Sequence, residues 1–263
     1  MDNMNRATLM IDALTELAEE EQAHHASRTP GAGRPALESV IADASPLPRE
    51  ALFLGMAEDN LPVLLNLNDP IPGPILIASD QASGKTKFLQ MIARAAELLH
   101  TPSEIQYGVI TQYPEEWAAF QENQINAGIY SAQHSNTHEF LQSLFTWAHN
   151  NKGEGQSILL LIDDLEAMKN IDQQTEQNLR WLLLRGPSRR VWPIITVNAH
   201  NARNVEAWLT FFRTRLFGRI QDAQDSNFIA GYTSETLNDL TAGSQFAMRE
   251  GNTWLKFLSP LID

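Results

Sequence analysis

The sequence predicts an α/β domain with a mostly parallel sheet flanked by helices, a helical extension before it and a β-hairpin at its end. Three observations carry this. An apolar run, Ile75 to Ala78, breaks into a small polar loop ending in Gly84-Lys85-Thr86 and passes at once into helical spacing at Phe88, Leu89, Met91, Ile92, Ala95, Ala96, Leu98 and Leu99. A second run, Ser157 to Ile162, has no alternation and ends in Asp163 and Asp164. That is the pattern of a central parallel strand buried on both faces. A third, Pro193 to Val197, ends in the amide Asn198. Open parallel sheets bind ligands at the carboxyl ends of their strands, where all three runs place polar residues.

In chain order, residues 6–22 place Leu9, Met10, Ala13, Leu14, Leu17 and Ala18 on one helical face, followed by Glu19 to Glu21. Such a helix packs on its own domain or serves as an arm for a protein partner. Residues 24–36 read as linker, and His24, His25 as a solvated feature of it. We therefore divide the chain into 1–50, an amphipathic helix with a flexible linker, and 51–263, the folded domain. Leu52 to Gly55 and Leu61 to Leu65 read as two strands around a polar turn. Ile105 to Thr111 is a strand, Pro114 opens a helix through Trp117 and Phe120, and Ile129-Tyr130 is a short strand. Phe140 to Trp147 and Leu179 to Leu184 read as helices, and Arg215 to Ile220 as a strand. Gln245–Arg249 and Thr253–Leu258 form a hairpin around Glu250-Gly251-Asn252.

Strand, Gly-Lys-Thr loop and helix in succession are the context of a P-loop. Backbone amides of the loop and the helix N-terminus face phosphates. The cradle comprises Ser79, Asp80, Gln81, Ala82, Ser83, Gly84, Lys85, Thr86 and Lys87. Lys85 brings a point charge, and the Thr86 hydroxyl is a ligand for Mg²⁺. Asp163 is placed to hold the Mg²⁺ shell, directly or through water. Asp164 is placed to orient or deprotonate an attacking water, or to cap the next helix. Asn198 is a candidate partner of the γ-phosphate or the water, or a turn former.

Of the 263 residues, 43% are hydrophobic, enough for a sizeable core, and no cysteine offers a disulfide or thiolate metal site. No run reaches ~18 apolar residues, so no membrane insertion is expected, and the default location is the cytoplasm. The net charge of −13 is uneven. Residues 1–60 hold four basic against eleven acidic residues, whereas 180–219 holds eight arginines against Glu206 alone. An acidic whole argues against coating nucleic acid with the entire surface, yet allows a narrow arginine strip to touch it.

In this order the motifs resemble the FtsK/HerA superfamily of RecA-like (ASCE) P-loop ATPases, from about Leu52 to the C-terminus. Ile75 to Thr86 resembles the Walker A segment, with Ser79 and Ala82 in place of glycines. Leu159 to Asp164 resembles Walker B, with Asp164 where the family has glutamate. Ile194 to Asn198 resembles the sensor strand, with Asn198 at the family's glutamine. Arg215 and Leu216 to Ile220 resemble the strand after it. Asp164 is one methylene shorter than glutamate, and a misplacement of about an ångström costs on the order of 10²-fold in rate. The resemblance implies ATP and Mg²⁺ as cofactors and a homo-oligomeric, commonly hexameric ring. An arginine would reach the neighbour's nucleotide, with Arg215 first among Arg189, Arg190, Arg213 and Arg215. Three activities stay open: translocation of double-stranded DNA, which leads; secretion or assembly of protein, with residues 1–22 as a docking arm; and a nucleotide-binding scaffold whose hydrolysis has decayed.

Overall fold

The computed structural model describes residues 34–231, 235–251 and 253–262. The helix expected over 6–22, His24, His25 and the linker up to residue 33 lie outside them. The fold starts with α1 (Leu37–Ala44), then the hairpin β1 (Ala51–Ala57) and β2 (Pro62–Asn66). The P-loop strand β3 (Ile75–Ser79) leads into α2 (Lys85–Leu99), then β4 (Ile105–Thr111) and β5 (Asn126–Ser131). Next come α3 (Ser135–Asn150), β6 (Ser157–Asp163), α4 (Gln173–Arg185) and β7 (Val191–Asn198). The chain ends with α5 (Glu206–Leu209), β8 (Thr214–Phe217), α6 (Ala223–Ala230), α7 (Glu235–Asp239), β9 (Gln245–Glu250) and β10 (Thr253–Leu258).

All ten strands join one sheet in the order β2-β1-β10-β9-β8-β3-β7-β6-β4-β5. From β8 to β5 every pairing is parallel; from β2 to β8 every pairing is antiparallel. The expected parallel core and terminal hairpin are both present, and the hairpin is the bridge that carries β1–β2 onto the parallel core.

The unalternating strands are buried on both faces because their two side-chain sets enter two cores. Ile75 and Ile77 of β3, with Leu159 and Leu161 of β6, pack with Phe88, Met91 and Ile92 of α2. Leu76 and Ala78, with Leu160 and Ile162, pack with Leu141 and Leu144 of α3 and Leu179 and Leu182 of α4. Phe88 stacks on Phe246 of β9 at 4.0 Å, which pins α2 to the hairpin.

Several expectations change. Residues 36–50 belong to the packed body: Leu37, Val40 and Ile41 of α1, at helical spacing, are buried in the α2-side core. The Leu37 amide also donates to the Leu261 carbonyl at 2.8 Å. The Pro114 helix is a 3₁₀ segment, Pro114–Phe120. β7 begins at Val191, two residues before Pro193, and these first residues pair only with β6 because β3 starts opposite Ile194. β8 stops at Phe217 rather than Ile220, because the next residues turn to bind the P-loop. There the Gly218 amide donates to the Ala78 carbonyl and the Asp80 amide to the Arg219 carbonyl, both at 2.9 Å.

Candidate active site

The end of β3 delivers the loop to the start of α2. Gly84 caps the helix at φ 84°, and a Cβ there would sit 2.5 Å from the Cα of Gly243, so only glycine fits. The Gly243 amide in turn donates to the Ser83 carbonyl at 3.1 Å. Ala82 adopts φ 56°, a left-handed conformation that glycine takes without strain. Ser79 is fully buried, and the absence of a side chain at Gly218 leaves room for it: a Cβ at Gly218 would meet the Ser79 Cβ at 2.9 Å. Among the described residues no acceptor takes the amides of Gln81, Ala82, Gly84, Lys85, Thr86 or Lys87. This is the donor array of an anion cradle at a helix N-terminus.

Lys85 is buried and has three N–H groups to place. They find the Asp80 carbonyl at 2.7 Å, the Asn198 Oδ1 at 2.7 Å and the Ser79 carbonyl at 3.2 Å. The Asn198 contact follows from sheet register, since Ser79 pairs with Asn198 in the parallel β3–β7 ladder. Burial pulls the Lys85 ammonium down to about 8, against the opposing pull of Asp164, Asp163 and Asp80.

Asp163 ends β6 and accepts from the Thr86 hydroxyl at Oδ2, 2.8 Å, and from the Thr196 hydroxyl at Oδ1, 3.1 Å. Burial pushes this carboxyl up, and the two hydroxyls pull it back. Asp164 stands at φ 80°, and its carboxylate caps the 3₁₀ turn Leu165–Asn170 through the Glu166 amide at 3.0 Å. Its own amide donates to the Thr196 hydroxyl at 2.7 Å. The capping and site readings of Asp164 are thus compatible, because the residue also lines the cleft. Burial raises its carboxyl as well.

These residues line a cleft of about 700 Å³ together with Gln81, Ala82, Gly84 and Lys87. Ser79, Asp80 and Ser83 frame the loop from behind, and the Asp80 carboxylate accepts the Gln221 amide at 2.9 Å. Sequence reasoning missed four lining residues: Gln112, Tyr113, Glu116 and Thr196. The first three follow β4, whose Thr111 pairs with Asp163, so their closeness is set by register alone. Thr196 carried a signal, being the one hydroxyl in an otherwise apolar strand.

Arg215 does not line this cleft. Its guanidinium donates to the Ile229 carbonyl at 2.6 Å, the Leu209 carbonyl at 2.9 Å and the Phe212 carbonyl at 3.3 Å. Those contacts use it to tie α5, α6 and β8 together. Arg190 is buried against Glu50, Asn68 and the Leu67 and Gly155 carbonyls, and Arg189 donates to the Asn151 carbonyl. Of the four candidates, Arg213 alone is exposed with no partner among the described residues.

The residues fit the group the resemblance implies. A hydroxyl and a carboxylate, Thr86 and Asp163, are the hard oxygen donors Mg²⁺ selects. Among the described residues no group of three His, Cys, Asp or Glu could hold a metal ion by itself. Mg²⁺ needs no such cage when phosphates and waters complete its shell. No helix among the described residues is long and apolar enough to cross a membrane.

No protein-family model matches the sequence, and no match is found among curated proteins. Solved structures do match. A Thermomonospora curvata EccC structure (ATPases 2 and 3, in complex with a signal sequence peptide) superimposes with a TM-score of 0.67 at 15% identity, covering 88% of this chain and 43% of that one. A structure described as an ATPase gives 0.68 at 13% identity, covering 89% and 97%. The pCW3 conjugation coupling protein TcpA, with ATPγS, gives 0.63 at 14%, covering 88% and 70%. The chain thus spans less than half the length of the EccC structure. At these identities the likeness shows the fold alone, an ATPase-domain fold shared with EccC and TcpA.

Proposed function

We propose that this chain binds ATP with Mg²⁺ and hydrolyses it as one subunit of a homo-oligomeric, ring-forming motor. The observation that carries the reading is the convergence of Lys85, Thr86, Asp163, Asp164 and Asn198 at one cleft beneath a row of unpartnered loop amides. The amides and Lys85 bind the phosphates, for which Lys85 exchanges its loop carbonyls. Thr86 and Asp163 hold Mg²⁺, which when bound offsets charge on the phosphate oxygens. Asp164 orients or deprotonates the attacking water, and Asn198 responds to the γ-phosphate. With Arg215 engaged inside its own chain, Arg213 becomes the arginine we assign to the neighbour's nucleotide.

Double-stranded DNA is the cargo the arginine-rich 180–219 segment first suggests. A second cargo, polypeptide, is favoured by the use of those arginines. Arg190 pairs with Glu50, Arg203 with Asp225 and Arg180 with Glu176, while Arg215 binds carbonyls. A strip spent on internal contacts leaves little to release counterions from a phosphate backbone. We place the chain in the cytoplasm. The test is ATP hydrolysis by the full chain with and without duplex DNA, beside mass photometry of the assembly. Turnover that Lys85→Ala abolishes supports the ATPase, and stimulation by duplex DNA selects the DNA cargo. Nucleotide binding without turnover selects the scaffold reading, and absence of both refutes the proposal.

A further inference from the structure

We propose that Thr196 is the positioning residue of the carboxylate pair, aiming Asp163 and Asp164 together; this rests on the ATPase reading above. The observation starts with β7. Val191, Trp192, Ile194, Ile195 and Val197 are apolar and buried, and Thr196 among them is 1% exposed. A hydroxyl in such a strand is costly unless it is hydrogen-bonded. Thr196 reaches both halves of the pair: the Asp163 Oδ1 at 3.1 Å and the Asp164 amide at 2.7 Å.

The chemistry of the hydroxyl fixes the direction of both bonds. An amide N–H only donates, so the Thr196 oxygen accepts from Asp164. The single hydroxyl proton is then left for Asp163, whose carboxylate only accepts. Sheet register brings them level, since Ile162 pairs with Ile195 and each is followed by its partner in the bond.

Two consequences follow. Asp163 has one oxygen held by Thr196 and the other by Thr86, so two hydroxyls orient its carboxylate. Asp164 is held at φ 80°, a conformation a non-glycine residue keeps only when its surroundings enforce it. The Thr196 bond to its amide is the enforcing contact on one side and the Glu166 cap on the other. One side chain therefore sets the aim of the metal ligand and of the water-directing carboxylate.

The test compares Thr196→Val, which keeps the shape and removes the hydroxyl, with Thr196→Ser, which keeps the hydroxyl. Thr196→Ala is the second hydroxyl-free variant, should valine disturb folding. Binding of a fluorescent ATP analogue is measured with and without Mg²⁺, together with kcat, KM and the melting temperature. Valine and alanine are expected to keep the Mg²⁺-free affinity and to lose roughly 10–100-fold in the Mg²⁺-dependent gain and in kcat, with KM little moved. Serine is expected to restore both. A merely structural hydroxyl would instead lower the melting temperature and leave the Mg²⁺-dependent gain intact. The proposal is overturned if the hydroxyl-free variants keep that gain and the wild-type kcat, or if serine loses as much as valine. A wild type that binds no nucleotide overturns the ATPase reading itself, and this proposal with it.

Discussion

Replacing Lys85 by methionine is expected to stabilise the nucleotide-free protein while removing its affinity for nucleotide. The ammonium falls from 10.5 to about 8 through burial. At about 1.36 kcal/mol per pH unit, holding that proton in the folded state at pH 7 costs about 3 kcal/mol. Methionine removes the cation and keeps the length. The Ser79 and Asp80 carbonyls and the Asn198 amide oxygen lose a donor, which offsets part of the gain, so the gain in stability is at most about 3 kcal/mol. The sign with pH is definite. The folded-state value lies below the unfolded one, so between about 8 and 10.5 the unfolded chain binds more protons and wild-type stability rises with pH. The advantage of the variant therefore shrinks to roughly half by pH 9.5. Urea denaturation of both proteins at pH 7 and pH 9.5 measures this, and taking the difference cancels the titrations not coupled to Lys85. A variant less stable than wild type at pH 7, or an advantage that does not change with pH, refutes the account of Lys85 as a desolvated cation.

Four further outcomes follow from the loop and from two of the candidate arginines. Ala82→Gly relieves the left-handed strain at φ 56° and is expected to raise stability by up to about 1 kcal/mol, read from the urea midpoint, without loss of nucleotide binding. Gly84→Ala drives a Cβ to 2.5 Å from the Gly243 Cα, which should cost about 1–3 kcal/mol and lower nucleotide affinity in a binding titration. Arg215→Met, which removes three carbonyl contacts inside one chain, is expected to lower monomer stability by about 2 kcal/mol in chemical denaturation. Arg213→Ala should leave stability within about 0.5 kcal/mol and reduce turnover only in the assembled state, seen as lost dependence of specific activity on protein concentration.

Much of the core was legible because its signals are local. The Gly-Lys-Thr loop between a strand and a helix, the unalternating run before Asp163 and the Gly251 turn each depend on residues a few positions apart. Helix α1 went unread because Leu37, Val40 and Ile41 sit in a short segment between prolines, and its burial is conferred by α2 and the C-terminal residues. The contacts of Arg215 were unreadable for a related reason: the carbonyls of Leu209 and Ile229 that it binds are brought near only by the fold. Nothing in the sequence marked Tyr113 and Glu116, which the β4–β6 pairing puts at the cleft.

Side-chain period, turn chemistry and the order of polar residues at strand ends are properties of short stretches, and the sequence alone determined them. Those were enough to name the cradle, the two carboxylates and Asn198. Which strand lies beside which, and in what register, is decided by burying two cores at once, and only the tertiary structure shows it. That register places Asn198 against Lys85, Thr196 between Asp163 and Asp164, and the terminal hairpin between the first strands and the parallel core.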